Sequence, residues 1–172
     1  MVGKPNESWG DVLLTATLIP PVPGIPNNAR LPLLVYHQIL GPTPDPRAFE
    51  ERFDANQWRG AWRNGIFDFH HFHPAAHEVL GVYGGGGSVQ FGGDTGPVVR
   101  IQAGDAIIIP AGVSHRRVSP GSVKVVGAYP TGQLATTLTP GDAAPNPADT
   151  PLPIADPVLG ASGPLQARWR GT

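Results

Sequence analysis

Four of the six histidines and one of the four glutamates lie between Gly65 and Gly85, in the stretch GIFDFHHFHPAAHEVLGVYGG. Read as strand, turn and strand, this stretch puts His71 and His73 on one face, because strand side chains alternate with period two. Glu78 follows the turn and opens the next strand. A second stretch, Gly104 to His115 (GDAIIIPAGVSH), brings a further imidazole after a Pro-Ala-Gly turn. Three imidazoles and one carboxylate are the makings of a site for one divalent transition metal ion. Fe, Mn, Zn, Ni and Co all suit such donors, and the absence of cysteine argues against a soft-metal site. Four protein ligands on a six-coordinate ion leave two positions for water, substrate or dioxygen. That arrangement can polarise a carboxylate or enolate, or activate oxygen.

The elements that must position these residues are short and β-rich. Residues 12–19 (VLLTATLI) read as a strand stopped by Pro20-Pro21, and 31–40 (LPLLVYHQIL) as a second one bounded by prolines. His37 sits alone in it and reads as a packed or half-exposed residue. One helix is signposted from Pro46 to about Gln57: Asp45 suits the N-cap, Pro46 the first turn, and Phe49 and Phe53 share a face. It reads as a cover over an open end or face of the β core. Trp58 and Trp62 read as aromatic packing. From Gly65 on, strand candidates fall at 66–73, 77–83, 88–91, 97–102, 106–109, 113–118 and 123–129, separated by turn residues. The glycine run 84–87 lacks the Lys-Ser/Thr and the helix of a phosphate loop and reads as a flexible hairpin turn. Many short strands at this spacing predict an antiparallel sandwich or barrel.

Length and composition bound the rest. A chain of 172 residues is one domain with enough mass for a core and appendages. Its 23 glycines and 21 prolines would suggest disorder, but the prolines crowd residues 20–46 and 140–164 and leave the centre dense in Val, Ile, Phe and His. The organisation expected is therefore residues 1–45 as an N-terminal arm with strands, 46–130 as helix and barrel core, and 131–172 as an extended C-terminal arm packing on the barrel or on a neighbour. A net charge of −1 gives no electrostatic case for nucleic acid or an anionic membrane. No apolar run approaches a membrane span, and the start MVGKPNESWGD lacks the basic and apolar regions of a secretion signal, so a cytoplasmic protein is expected. Exposed β edges and proline-rich arms favour a homodimer.

The two stretches, Gly65-x5-His71-x-His73-x4-Glu78-x6-Gly85 and Gly104-x5-Pro110-x-Gly112-x2-His115, resemble the paired signature motifs of the cupin superfamily. The segment HFHPAAHE is similar to the germin-type version. The wording HFHPAAHEVLGVYGG, AGDAIIIPAGVSH and VVGAYPTGQ resembles the bacterial YjlB-type cupins. The resemblance covers roughly residues 60–130. It implies an all-β double-stranded β-helix (jelly-roll barrel), with one short N-terminal helix, and a metal held by His71, His73, Glu78 and His115. One departure is Ser119, where the second motif often carries Asn; that position is not a ligand.

On the residues alone, a turn shorter by one residue would face His77 rather than Glu78 to the metal. The germin-like spacing favours Glu78 and leaves His77 as a substitute ligand or a support behind the ligands. His70 points opposite to His71 and His73, outside or between sheets. By period two from His115, Arg117 faces the cavity and is a candidate clamp for an anionic substrate, its alternative being a solvated strand end. Phe67 and Phe69, with Leu80 and Val82, are candidates for an apolar, substrate-binding wall. The expected function is a metal-dependent small-molecule enzyme, dioxygenase-like in the first place and a decarboxylase or isomerase in the second. The alternative is a non-catalytic cupin that binds a metal or a small ligand.

Overall fold

The computed structural model describes residues 7–170. Nine strands run through it: β1 (Glu7–Trp9), β2 (Val12–Ile19), β3 (Asn28–His37), β4 (Trp58–Asn64), β5 (Glu78–Phe91), β6 (Val98–Gln102), β7 (Ala106–Ile109), β8 (His115–Arg117) and β9 (Val123–Pro130). Two helices, α1 (Pro46–Ala55) and α2 (Pro164–Arg170), and a 3-10 turn at Pro147–Asp149 complete the set. All strand pairs are antiparallel, in the order β1-β2-β3-β7-β5-β9-β4, with β6 and β8 both joined to β5. This is the double-stranded β-helix that the motifs imply. Among the described residues no helix is long and apolar enough to cross a membrane.

Strand alternation divides the core in two. Leu34, Tyr36, Val79, Ile108, Val126 and Ala128 face one way and pack with Phe49 and Phe53 of α1 and with Leu165 and Trp169 of α2. Leu33, Val35, Leu80, Val82, Ile107, Ile109 and Val125 face the other way and fill the barrel. Both faces of the central strands are therefore covered, which is why LLVY and AIII read as unbroken apolar runs. The helix begins as its residues dictate: the Asp45 side chain accepts from the Arg47 N–H at 2.9 Å, and Pro46 occupies the first turn. It stops at Ala55, short of Gln57, whose φ of +66° leaves the helical region. Gly81 is where α1 approaches the sheet, since a Cβ there would lie 2.5 Å from the Phe49 ring.

The central segment departs from its sequence reading in three places. Residues 66–73 do not form a regular strand and make only isolated bridges at His71 and Phe72, while Trp58–Asn64, read only as packing, is strand β4. The stretch 113–118 shortens to His115–Arg117. The glycines 84–87 are not a hairpin turn but the middle of one 14-residue strand, β5. Its first half pairs with β7 and β9 and its second half with β6 and β8, and the register shifts between Val82 and Gly84. At Gly85, with φ +69°, a Cβ would sit 2.2 Å from the Ser122 carbonyl oxygen. Glycine is required there because the strand must bend and change partners while a neighbouring backbone presses on it.

The C-terminal residues hold a second helix that their Pro/Asp/Ala composition concealed. Trp169 is buried and its indole N–H donates to the Pro32 carbonyl at 2.9 Å. The Asp156 carboxylate, fully buried, accepts from the Tyr36 hydroxyl and from the N–H groups of Val158, Leu159 and Leu165 at 2.8, 2.9 and 3.1 Å.

Candidate metal centre

Glu78 opens β5 with the same parity as Leu80 and Val82, so its side chain enters the barrel. His115 opens β8, opposite Phe91. His71 is joined to His115 by two backbone hydrogen bonds of 3.3 and 3.0 Å, which sets their rings 4.2 Å apart between centroids. The His73 ring lies 6.2 Å from His71 and 6.3 Å from His115. All four side chains are buried and line one cavity of about 260 Å³, together with Trp62, Phe67, Leu80 and Tyr129.

The hydrogen bonding around the rings carries the chemistry. Each Nδ1 faces a backbone carbonyl: Phe69 for His71 at 3.0 Å, Thr136 for His73 at 3.2 Å and Val113 for His115 at 3.3 Å. A ring that donates through Nδ1 keeps its lone pair on Nε2. Yet His73 Nε2 lies 3.3 Å from one Glu78 oxygen and His115 Nε2 lies 3.2 Å from the other. Acceptor thus faces acceptor in a buried cage, and only positive charge, as protons or as a metal cation, resolves that arrangement. Burial would raise the Glu78 carboxyl, but hydrogen bonds from His115 and His73 outweigh it and hold the group well below the usual carboxylate range. Burial likewise lowers His73, but the hydrogen bond and charge of Glu78 carry it above its ordinary value. For His71 the balance goes the other way: burial, then the neighbouring His115, outweigh the Phe69 carbonyl and the Glu78 charge and lower it to about 4. Among the described residues no three of these side chains are already arrayed around a point at ligand distances. Hydrogen bonds hold the cluster together, and its donor set (three imidazoles and a carboxylate) fits a divalent ion.

Other candidates fall elsewhere. His77 has the opposite parity to Glu78 and faces the helix side, its ring 4.8 Å from that of Trp169. Its Nδ1 accepts from the Ala111 N–H at 2.9 Å and its Nε2 donates to the Pro151 carbonyl at 3.2 Å. Both nitrogens are spent, so His77 is neither a substitute ligand nor a direct support of one. It ties the Pro-Ala-Gly turn before His115 to the start of β5. Arg117 does not reach the cavity: its guanidinium donates to the Ser119 carbonyl. Phe67 lines the cavity, whereas Phe69 stacks outside it on Phe67 at 4.9 Å. Leu80 lines it too, and Val82 is packed deeper in the barrel. His70 points away from the cavity and is buried, with Ser114 Oγ at 2.9 Å from Nδ1 and Asp94 at 3.4 Å from Nε2.

Among the cavity residues that the sequence reading did not assign to the site are two aromatic ones, Tyr129 and Trp62. Tyr129 continues the interior alternation Val123, Val125, Gly127 along β9, a signal that was available. Its ring meets His73 edge-on at 5.6 Å, and its hydroxyl accepts from the Trp62 indole N–H at 2.8 Å. Burial, followed by the Glu78 charge, pushes the phenol well above its ordinary pKa. Trp62 carried no comparable signal, because its position depends on pairing opposite Gly127. A Cβ at Gly127 would lie 2.2 Å from the indole.

Barrel and motifs together define a cupin. Over 151 residues, 84% of this chain and 90% of its counterpart, the sequence is 35% identical to the uncharacterized protein YjlB of Bacillus subtilis, and the chain belongs to that family of cupins. No family model matches. Similar solved structures include a DUF861 family protein from Thermotoga maritima, 20% identical, with 49% of this chain and 91% of that chain covered at a TM-score of 0.34. Another is a double-stranded beta-helix protein from Klebsiella pneumoniae, 16% identical, with 79% and 84% covered at 0.34. A third is the DMSP lyase DddQ from Ruegeria pomeroyi, 14% identical, with 80% and 59% covered at 0.36.

Proposed function

We propose that this chain is a metal-binding cupin that acts on a small molecule in the barrel cavity, with His71, His73, His115 and Glu78 as the ligands. The observation that carries this is the convergence of three imidazoles and one carboxylate on a single cavity, each imidazole backed through Nδ1 by a carbonyl. Carbonyls behind Nδ1 are the usual means of fixing the tautomer and direction of metal-ligating histidines. A bound divalent ion would supply activation of dioxygen, on which the dioxygenase-like reading rests, or Lewis-acid polarisation of a coordinated oxygen, on which decarboxylation or isomerisation would rest.

The chain's own residues then divide the work. Glu78 offsets one positive charge in a cage that is otherwise neutral. Ile66, Phe67 and Leu80 narrow access of water. The Tyr129 hydroxyl accepts from Trp62 and hydrogen-bonds Glu78, which helps to orient the carboxylate in the cavity.

The test is metal content per chain on untagged protein, followed by cobalt loading of the stripped protein read by its visible absorption. About one equivalent per chain, with spectral bands lost in His115→Ala, is the expected result. Failure to take up any ion after reconstitution would sink the metal centre and leave a ligand-binding barrel.

A further inference from the structure

We propose that the cavity accepts a flat ring compound carrying at most one negative charge, held between Trp62 and Phe67, and rejects multiply charged organic anions. This deepens the reading of the cavity as a small-molecule site and rests on it.

The walls come first. Trp62 is fixed before any ligand arrives: its indole lies against the bare Gly127 backbone and donates to Tyr129 at 2.8 Å. A wall already ordered loses little freedom when a ring binds against it. Phe67 lines the same cavity yet remains 52% exposed. Phe69 backs it at 4.9 Å with planes only 16° apart, and the Phe67 ring meets that of His71 at 5.1 Å, edge to face. A stacked, exposed aromatic pair at a cavity rim is apolar surface that a bound ring would remove from water. The volume of about 260 Å³ suits one ring with a few substituents and lies just under the ~300–1,000 Å³ of sites for larger ligands.

Charge supplies the exclusion. Among the described residues no lysine or arginine lines the cavity. The two arginines of β8 are committed elsewhere. Arg116 donates to the Gln90 side-chain oxygen at 3.1 and 2.9 Å and lies 3.3 Å from Asp94, and Arg117 donates to the Ser119 carbonyl. A divalent ion among three neutral imidazoles and one carboxylate retains a single positive charge. One anionic oxygen is matched by it, and a second would be buried without a partner. Beside the four donors, the polar side chains that line the cavity and could orient a ligand are Trp62, Tyr129, Asn64 and Thr137, none of them cationic.

The experiment uses the full chain, metal-stripped and cobalt-loaded, with 4-fluorophenol as the probe observed by fluorine NMR and with cyclohexanol and malonate as competitors. Expected are binding of 4-fluorophenol, displacement by cyclohexanol only at several-fold higher concentration, and at least ~10-fold weaker displacement by malonate in both forms. Trp62→Leu should weaken the probe by ~10-fold and Phe67→Ser by several-fold. Phe67 is exposed, so its variant should keep the wild-type melting temperature and stand even if Trp62→Leu misfolds. Malonate outcompeting the phenol, or phenol binding unchanged in Phe67→Ser and in any folded Trp62 variant, would overturn the proposal. Phenol binding without cobalt bands would support it while sinking the metal centre.

Discussion

At the scale of single residues, one step in register separates Glu78 from His77 and assigns them opposite duties. Glu78 opposes Ile109 and shares the interior face with Leu80, whereas His77 faces Trp169. Glu78→Gln removes the only anion among the cavity ligands. Metal affinity should fall by more than the ~10–100-fold that loss of an outer partner costs, measured by competition with a chromophoric chelator. His77→Ala should behave differently. It leaves the buried Ala111 N–H without an acceptor, a cost of about 1–3 kcal/mol in chemical denaturation, while metal stoichiometry stays at the wild-type value. A loss of metal as large as that of Glu78→Gln would show that His77 ligates after all.

At the scale of elements, β5 is the organising strand, because one continuous run of 14 residues pairs with four others. Its bend depends on Gly85, where the positive φ and the Ser122 oxygen, 2.2 Å from where a Cβ would stand, together exclude a side chain. Gly85→Ala should therefore destabilise the fold by about 1–3 kcal/mol, read from the urea midpoint, since the added methyl must displace backbone. Helix α1 is anchored differently, by two fully buried phenylalanines whose rings lie 5.7 Å apart. Phe49→Ala should cost about 3–5 kcal/mol, part transfer and part cavity, because Gly81 opposite offers no side chain to fill the space. If the variant melted like the wild type, α1 would be a dispensable cover rather than part of the core.

At the scale of the whole molecule, the chain closes on itself through Tyr36 and Asp156, 120 residues apart, both fully buried. Burial, then the Asp156 charge, raises the Tyr36 phenol well above its ordinary value. A group whose folded pKa is raised contributes stability that is complete below its unfolded value and is lost as pH rises beyond it. Thermal stability should thus decline above about pH 10, and Tyr36→Phe, which cannot ionise, should show a shallower decline between about pH 9 and 11. An equally steep decline in the variant would place the alkaline sensitivity elsewhere. The β-rich class, the α1 cap and the cluster His71, His73, Glu78 and His115 were legible in the sequence, because capping, alternation and motif spacing are local properties that distant partners rarely reverse. Not legible were the unbroken passage of β5 through four glycines, helix α2, and the Trp62–Tyr129 wall. Glycine propensity favours a turn at 84–87, and only strand pairing on both sides overrides it; α2 is short and is stabilised by burying Leu165 and Trp169 against the sheet. The facing of Trp62 to Gly127 exists only once β4 lies beside β9. The sequence by itself determined which donors the cavity could hold. The tertiary structure decided which way His77 and Arg117 turn and what walls the cavity, because those outcomes depend on register between strands far apart in the chain.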